Sequence, residues 1–224
     1  MAGLVVHTAQ TDNAVTLAEI KNHLRVDGSD DDNVLGIIKQ TVDSWASEYT
    51  NRTLCTTTYQ LYIDSLYDLE TKIYEGMYTA PDIDMPRKNI ILPKSPVSSI
   101  SHVKYYDDDD TATTWATSNY YLDNASEPNR FVLRKGVSYP TGLRTANALE
   151  IQYVAGYGGA SSVPMQIKSA CLTYAAYLFE HRGDMLDGKN LMAPVQATSL
   201  LRPFVVNRLS INTYRGIGQY GGIL

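Results

Sequence analysis

The sequence predicts an α+β fold: a discontinuous helical bundle of about four helices interrupted by an antiparallel β module of sandwich or barrel-like form. Three observations carry this. Residues 16–51 and 164–202 hold apolar side chains at helical spacing. Residues 55–155 instead run in short Thr-, Tyr-, Val- and Ile-rich segments cut by Pro, Gly, Asn and Asp, which is strand and turn chemistry. Neither helical flank has enough apolar surface to bury itself alone, so 1–54 and 156–224 are expected to form one helical unit around an inserted β-rich stretch, 55–155.

The first helix is read from "TLAEIKNHLR", where Leu17, Ile20 and Leu24 share a face and Thr16 with Glu19 can form a capping box. The acidic stretch "VDGSDDDNV" follows. An EF-hand loop counted from Asp27 needs glycine at position six and glutamate at position twelve, but finds Asp32 and Ile38. A helix start explains the stretch better: Gly28 breaks the first helix, Ser29 or Asp30 caps the second, and Asp31 and Asp32 sit in its positive first turn. That second helix spans about 30–51, with Val34, Ile37, Ile38, Thr41, Trp45 and Tyr49 on the apolar face and Asp43, Ser44, Ser47 and Glu48 opposite.

Strands are expected in "TTTYQLYID", where Tyr59, Leu61 and Ile63 alternate with Gln60 and Tyr62, and near 72–78, 89–92, 99–106, 119–123, 130–133 and 148–155. A core helix begins at Pro164 and carries Ile167, Ala170, Cys171, Tyr174, Tyr177 and Leu178, with Gly183 as its C-terminal cap. A short helix from Pro194 to about Arg202 is halted by Pro203. The final "SINTYRGIGQYGGIL" has no period and is expected to be an extended tail.

Composition narrows the function classes. The chain has 224 residues and 44% apolar content, ordinary for a globular protein. No apolar run reaches the 18 or so residues of a membrane span, and the start lacks the pattern of a secretory signal, so synthesis in the cytosol and no membrane partner are expected. Cys55 and Cys171 are then two buried thiols. Basic residues number 4 against 8 acidic ones in 1–54, 9 against 13 in 55–155, and 6 against 3 in 156–224. This basic end on an acidic chain argues against general nucleic-acid binding and for docking of the C-terminal segment on an acidic partner.

No catalytic, cofactor or metal site is expected. His7, His23, His102 and His181 are scattered, and "AGYGGAS" lacks the lysine of a phosphate loop, reading as a strand-to-helix hinge. Asp107 to Asp110 form four adjacent carboxylates between two strand-like runs, the pattern of a solvated hairpin loop rather than a cation site or part of a hydrolase. "RGD" at 182–184 coincides with a helix end. Seventeen tyrosines against three phenylalanines suit either a partner-facing surface or half-exposed strands.

Several pieces, taken in order, carry a family resemblance: "VTLAEIKNHLRVDG", "EYTNRTL", "LPKSPVSSISHVKYYD", "SNYYLDNASEPNRFVL", "VAGYG" and "VPMQIKSACLTYAAYLFEHR". Together they span most of 15–184 and resemble the head-tail connector, or adaptor, proteins of long-tailed bacteriophages and gene transfer agents. The resemblance implies a non-enzymatic virion component at the head-tail interface. It implies a homo-oligomeric ring, dodecameric, beneath the portal, extending a channel that passes double-stranded DNA without sequence-specific binding and docking a stopper or tail-completion protein. Where many relatives stop, after "SLLRPF", this chain continues for about twenty residues. On this reading the tail reaches the portal through Arg202, Arg208, Tyr214, Arg215 and Tyr220, and Asp30, Asp31, Asp32, Asp43 and Glu48 line the channel, where carboxylates repel the genome. Rival readings are a stopper or tail-completion protein built on a β barrel, and a carbohydrate-binding β module with surface tyrosines and Trp115 as its platform.

Overall fold

The computed structural model describes residues 2–64, 89–181 and 193–206. In chain order these form β1 (Ala2–Thr8), α1 (Leu17–Leu24), α2 (Asp32–Thr50), β2 (Thr57–Ile63), β3 (Asn89–Ile91), β4 (Val97–Tyr106), β5 (Ala112–Thr114), β6 (Tyr120–Asp123), β7 (Arg130–Leu133), β8 (Leu149–Ala155), α3 (Met165–Glu180) and α4 (Val195–Leu201). The α+β class holds, with four α-helices among the described residues. The expected strand near 72–78, Gly183, the RGD triplet and the tail beyond Val206 lie outside them.

Among the described residues all strand pairs are antiparallel. One sheet runs β1-β2-β8-β4-β5 and a smaller one β3-β7-β6, and among the described residues neither closes into a barrel. Alternation along β2 is as the sequence dictates, Tyr59, Leu61 and Ile63 facing in and Gln60 and Tyr62 half-buried. Both sheets feed one core, in which Leu61, Ile151 and Tyr153 of the larger sheet share a cluster with Phe131, Leu133 and Ile90 of the smaller. The hydroxyl of fully buried Tyr153 donates to the Pro93 carbonyl at 2.9 Å, and those of Tyr59 and Thr53 meet at 3.0 Å. Burying a phenol is tolerable when its oxygen is paired. With Tyr59, Tyr120, Tyr139 and Tyr153 all buried, much of the tyrosine excess in the sheets is core.

A second core joins the helices: Ile20 of α1, Leu35, Ile38, Val42 and Ala46 of α2, Ile167, Ala170, Cys171 and Ala175 of α3, and Ala197 and Leu201 of α4. Helix α3 packs on the other three, as its all-round apolar character requires. The capping box of α1 is formed, with Thr16 N–H donating to Glu19 Oε2 at 2.7 Å and Glu19 N–H to Thr16 Oγ1 at 3.2 Å. The remaining oxygen of Glu19 accepts from the buried Lys168 ammonium of α3 at 2.6 Å, so one carboxylate both caps α1 and docks it.

Three expectations need correction. Ala2–Thr8 is a strand paired with β2, Leu4 opposite Leu61, and so belongs to the sheet rather than to the helical unit. On α2 the buried stripe is Leu35, Ile38, Val42 and Ala46, about 80° round the helix from the predicted face, with which it shares Ile38, leaving Val34, Ile37 and Thr41 exposed. The two apolar neighbours at 34–35 and at 37–38 fit either stripe, and only α3 decides between them. Finally, neither Ser29 nor Asp30 caps α2: its N-cap is Asp31, whose side chain makes no capping hydrogen bond.

Candidate interaction surfaces

The two connections between helices and sheets run side by side. Thr56 N–H donates to Gly158 O at 2.9 Å and Tyr157 N–H to Leu54 O at 3.0 Å, pinning residues 54–56 against the "AGYGG" segment. Gly156 sits at φ +117°, and a Cβ there would lie 2.6 Å from the carbonyl carbon and oxygen of Cys55. Only glycine allows this approach. The cysteines beside it are buried and free, Cys55 pushed up to about 11 and Cys171 to about 12, in both cases first by burial. They serve packing.

Arg52 closes this junction. It follows the left-handed Asn51 that ends α2 and is buried among polar partners: Nη1 and Nη2 reach the Glu127 carboxylate at 2.8 and 2.6 Å, and Nε donates to the Phe204 carbonyl at 2.6 Å. Glu127 belongs to the β6–β7 loop and Phe204 to the 3-10 turn after α4, so one side chain ties helix end, sheet loop and C-terminal segment together. Val206 N–H donates to Thr50 O at 2.9 Å, docking that segment along the end of α2.

The first acidic stretch is tied to α1 by Lys21. Lys21 of α1 donates to Asp32 Oδ1 at 2.6 Å and also to the Gly28 carbonyl, so this ammonium ties the corner between α1 and α2. Asp30 at its tip is exposed, whereas Asp31 and Asp32 are half-buried. The second acidic stretch is a β4–β5 hairpin turn, as expected. Asp107 Oδ1 accepts the N–H groups of Asp109 and Thr111 at 3.1 and 2.8 Å, and Asp110 pairs with Arg144 at 3.2 Å.

On the outer face of the larger sheet, Glu150 is buried and accepts from the Tyr106 hydroxyl at 2.8 Å and the Gln60 amide at 3.3 Å, with His102 Nε2 3.0 Å away. Burial works to raise its pKa. The His102 and Tyr106 contacts outweigh that and hold it below the usual carboxylate value. This is a satisfied polar layer on a sheet face.

Residues 14–101 match the Phage gp6-like head-tail connector protein family. The resemblance to head-tail connectors is thus borne out over that stretch, which covers α1, α2, β2, β3 and the first half of β4. No curated protein matches the chain. Chains of solved structures do, three of them as follows. A chain from the neck of an empty gene transfer agent particle, computed with sixfold symmetry, shares 19% identity over 93% of this chain and 97% of its own, with a TM-score of 0.69. One from the virion of a native gene transfer agent particle shares 22% over 92% and 97%, with 0.68. One from the neck of a native particle, computed with twelvefold symmetry, shares 21% over 93% and 97%, with 0.66. At these identities the likeness is one of fold. The chain therefore has connector sequence over 14–101 and the fold of a virion-neck protein over more than nine-tenths of its length. These relatives are structural components of particles.

The connector candidates are scattered by the fold. Of the acidic set, Asp30 and Glu48 are exposed, but Asp43 is buried and accepts from Ala14 N–H and from the Gln10 amide, both at 2.6 Å. Its carboxylate anchors the linker between β1 and α1 and cannot line a channel, a correction the helical wheel could not supply because the linker covers that side of α2. Of the tail set, Arg202 is exposed in the turn after α4, and Arg208, Tyr214, Arg215 and Tyr220 lie outside the described residues. The residue that sequence reasoning missed is Arg52. Its signal was an arginine directly after a helix-ending Asn in "EYTNRTL", followed 75 residues later by the Glu of "NASEPNR".

Proposed function

We propose that the chain is a structural head-tail adaptor, assembling as a ring of twelve copies beneath the portal, extending the DNA channel and presenting a platform for a stopper or tail-completion protein. The observation that supports this best is the correspondence of nearly the whole fold, helices and inserted sheets together, with chains of virion necks, one of them computed with twelvefold symmetry. A stopper or a free carbohydrate-binding module would not need the four-helix unit, and Trp115, the expected platform of such a module, is buried in the sheet core. The exposed Asp30, with Asp31 and Asp32 behind it, is the acidic corner placed toward the channel, where fixed negative charge keeps phosphates from sticking. The C-terminal segment from Arg202 carries the basic excess to the portal.

Electron microscopy of the purified chain, alone and mixed with the portal ring of its own particle, tests the reading. A ring with an open centre, stacked on the portal, is expected; a chain that stays monomeric and unbound under both conditions overturns it.

A further inference from the structure

A cyclic ring joins two different patches on every copy, since each subunit meets its neighbours head to tail. Two exposed patches on this chain match one another. The first is the free stripe of α2: Val34 is 37% and Ile37 68% exposed, and Thr41 and exposed Glu48 continue it on the same side. The second is the outer face of the smaller sheet. There Ile91 of β3, opposite Arg130, is 46% exposed, and Tyr121 of β6, opposite Val132, is 45% exposed. Arg134 lies over the Tyr121 ring at 5.7 Å, and exposed Lys135 follows it.

We propose that these patches form the contact between neighbouring copies, the α2 stripe of one subunit seating on the β3-β7-β6 face of the next. This rests on the ring reading above. The order of chemistry agrees along both surfaces, an isoleucine at one end, where Arg130 beside Ile91 is already neutralised by Asp123, and opposite charges, unpaired among the described residues, at the other. From Ile37, Thr41 lies about 6 Å and Glu48 about 16 Å along the helix axis, at 1.5 Å per residue. From the row of Ile91, the row of Tyr121 lies about 7 Å and Arg134 about 13 Å along β7, at 3.3 Å per residue. Ile37 thus meets Ile91, Thr41 meets Tyr121, and the Glu48 carboxylate comes within reach of Arg134 and Lys135. Tyrosine, arginine and isoleucine around a small apolar centre are the composition of an interface core. A channel wall has no use for Ile37, so this assigns the α2 stripe, Glu48 included, to the subunit contact and leaves the acidic corner for the channel.

The test uses full-length chains assembled on the portal ring. In the double variant Thr41→Cys with Asn89→Cys, the new thiols sit at the middle row of each patch, while Cys55 and Cys171 are buried. A short bis-maleimide is expected to give a ladder of linked oligomers from the double variant and none from either single variant, because each contact uses one patch of each kind. Charge reversal by Arg134→Glu with Lys135→Glu is expected to lower the assembled fraction on the order of tenfold, and adding Glu48→Lys to restore most of it. Normal rings that remain unlinked, or that tolerate the charge reversal, overturn the contact and leave the ring reading standing. A wild-type chain that forms no ring on the portal overturns both.

Discussion

The guanidinium of Arg52 and the carboxylate of Glu127 meet at two points, Nη1 to Oε1 at 2.8 Å and Nη2 to Oε2 at 2.6 Å, across 75 residues of sequence. Arg52 is nearly closed off, its side chain 7% exposed, while Glu127 is half open to water at 50%. The contact is therefore unequal: removing the carboxylate lets water replace it on one side, whereas removing the arginine empties a buried position and also frees the Phe204 carbonyl.

Arg52→Ala is accordingly expected to destabilise the fold by about 3 kcal/mol, since a buried charged hydrogen-bonding group and its packing are both lost. Glu127→Gln should cost about 1 kcal/mol, because a half-exposed partner is discounted by solvent. Urea unfolding of the two variants checks the order. Equal losses would mean that Arg52 does not bridge the junction as described.

Gly156→Ala is expected to destabilise by about 3 kcal/mol or more, through a backbone clash with Cys55 at a left-handed φ. Gly136→Ala, also at positive φ but with nothing near its added methyl, should cost about 1 kcal/mol. Thermal unfolding of the pair separates strain from clash.

Acid should unfold the protein through carboxylates held below their ordinary values: Glu127 first by its Arg52 hydrogen bonds, and Glu19 and Glu150 against an opposing burial effect, by Lys168 and by His102 with Tyr106. A carboxylate with a lowered folded-state pKa stabilises fully above its unfolded value, about 4.3 for Glu, and that contribution disappears as pH falls through the folded value. Glu150→Gln is expected to be less stable at neutral pH and to lose less stability below about pH 4.3, so that its curve converges with the wild type in acid. Parallel curves in a urea series from pH 7 to 3 would contradict this.

Truncation after Val206 removes the basic tail but keeps the Thr50–Val206 and Arg52–Phe204 contacts, so unfolding should be unchanged while portal binding falls. Truncation at Pro203 would remove those contacts as well and confuse a docking defect with a folding one. Portal affinity by surface capture is the readout, and an unchanged value after removal of 207–224 would exclude the tail as the docking segment.

By itself the sequence determined the local elements, because their signals are local. The Thr16–Glu19 box, the alternation of β2, the boundaries near 130–133 and 148–155, and the helix after Pro164 each depend on residues within a few positions of one another. The order of those elements also carried the connector resemblance. Tertiary structure alone decided what depended on distant partners. The buried side of α2 was undetermined because apolar residues are adjacent at 34–35 and 37–38, and α3 selects one stripe. Asp43 looks like a surface residue until the β1–α1 linker folds over it. The first strand lacks clean alternation and is stabilised by pairing with β2. Arg52 and Glu127 become one contact only when the helix end, the β6–β7 loop and the segment after α4 converge, a meeting that no spacing in the chain encodes.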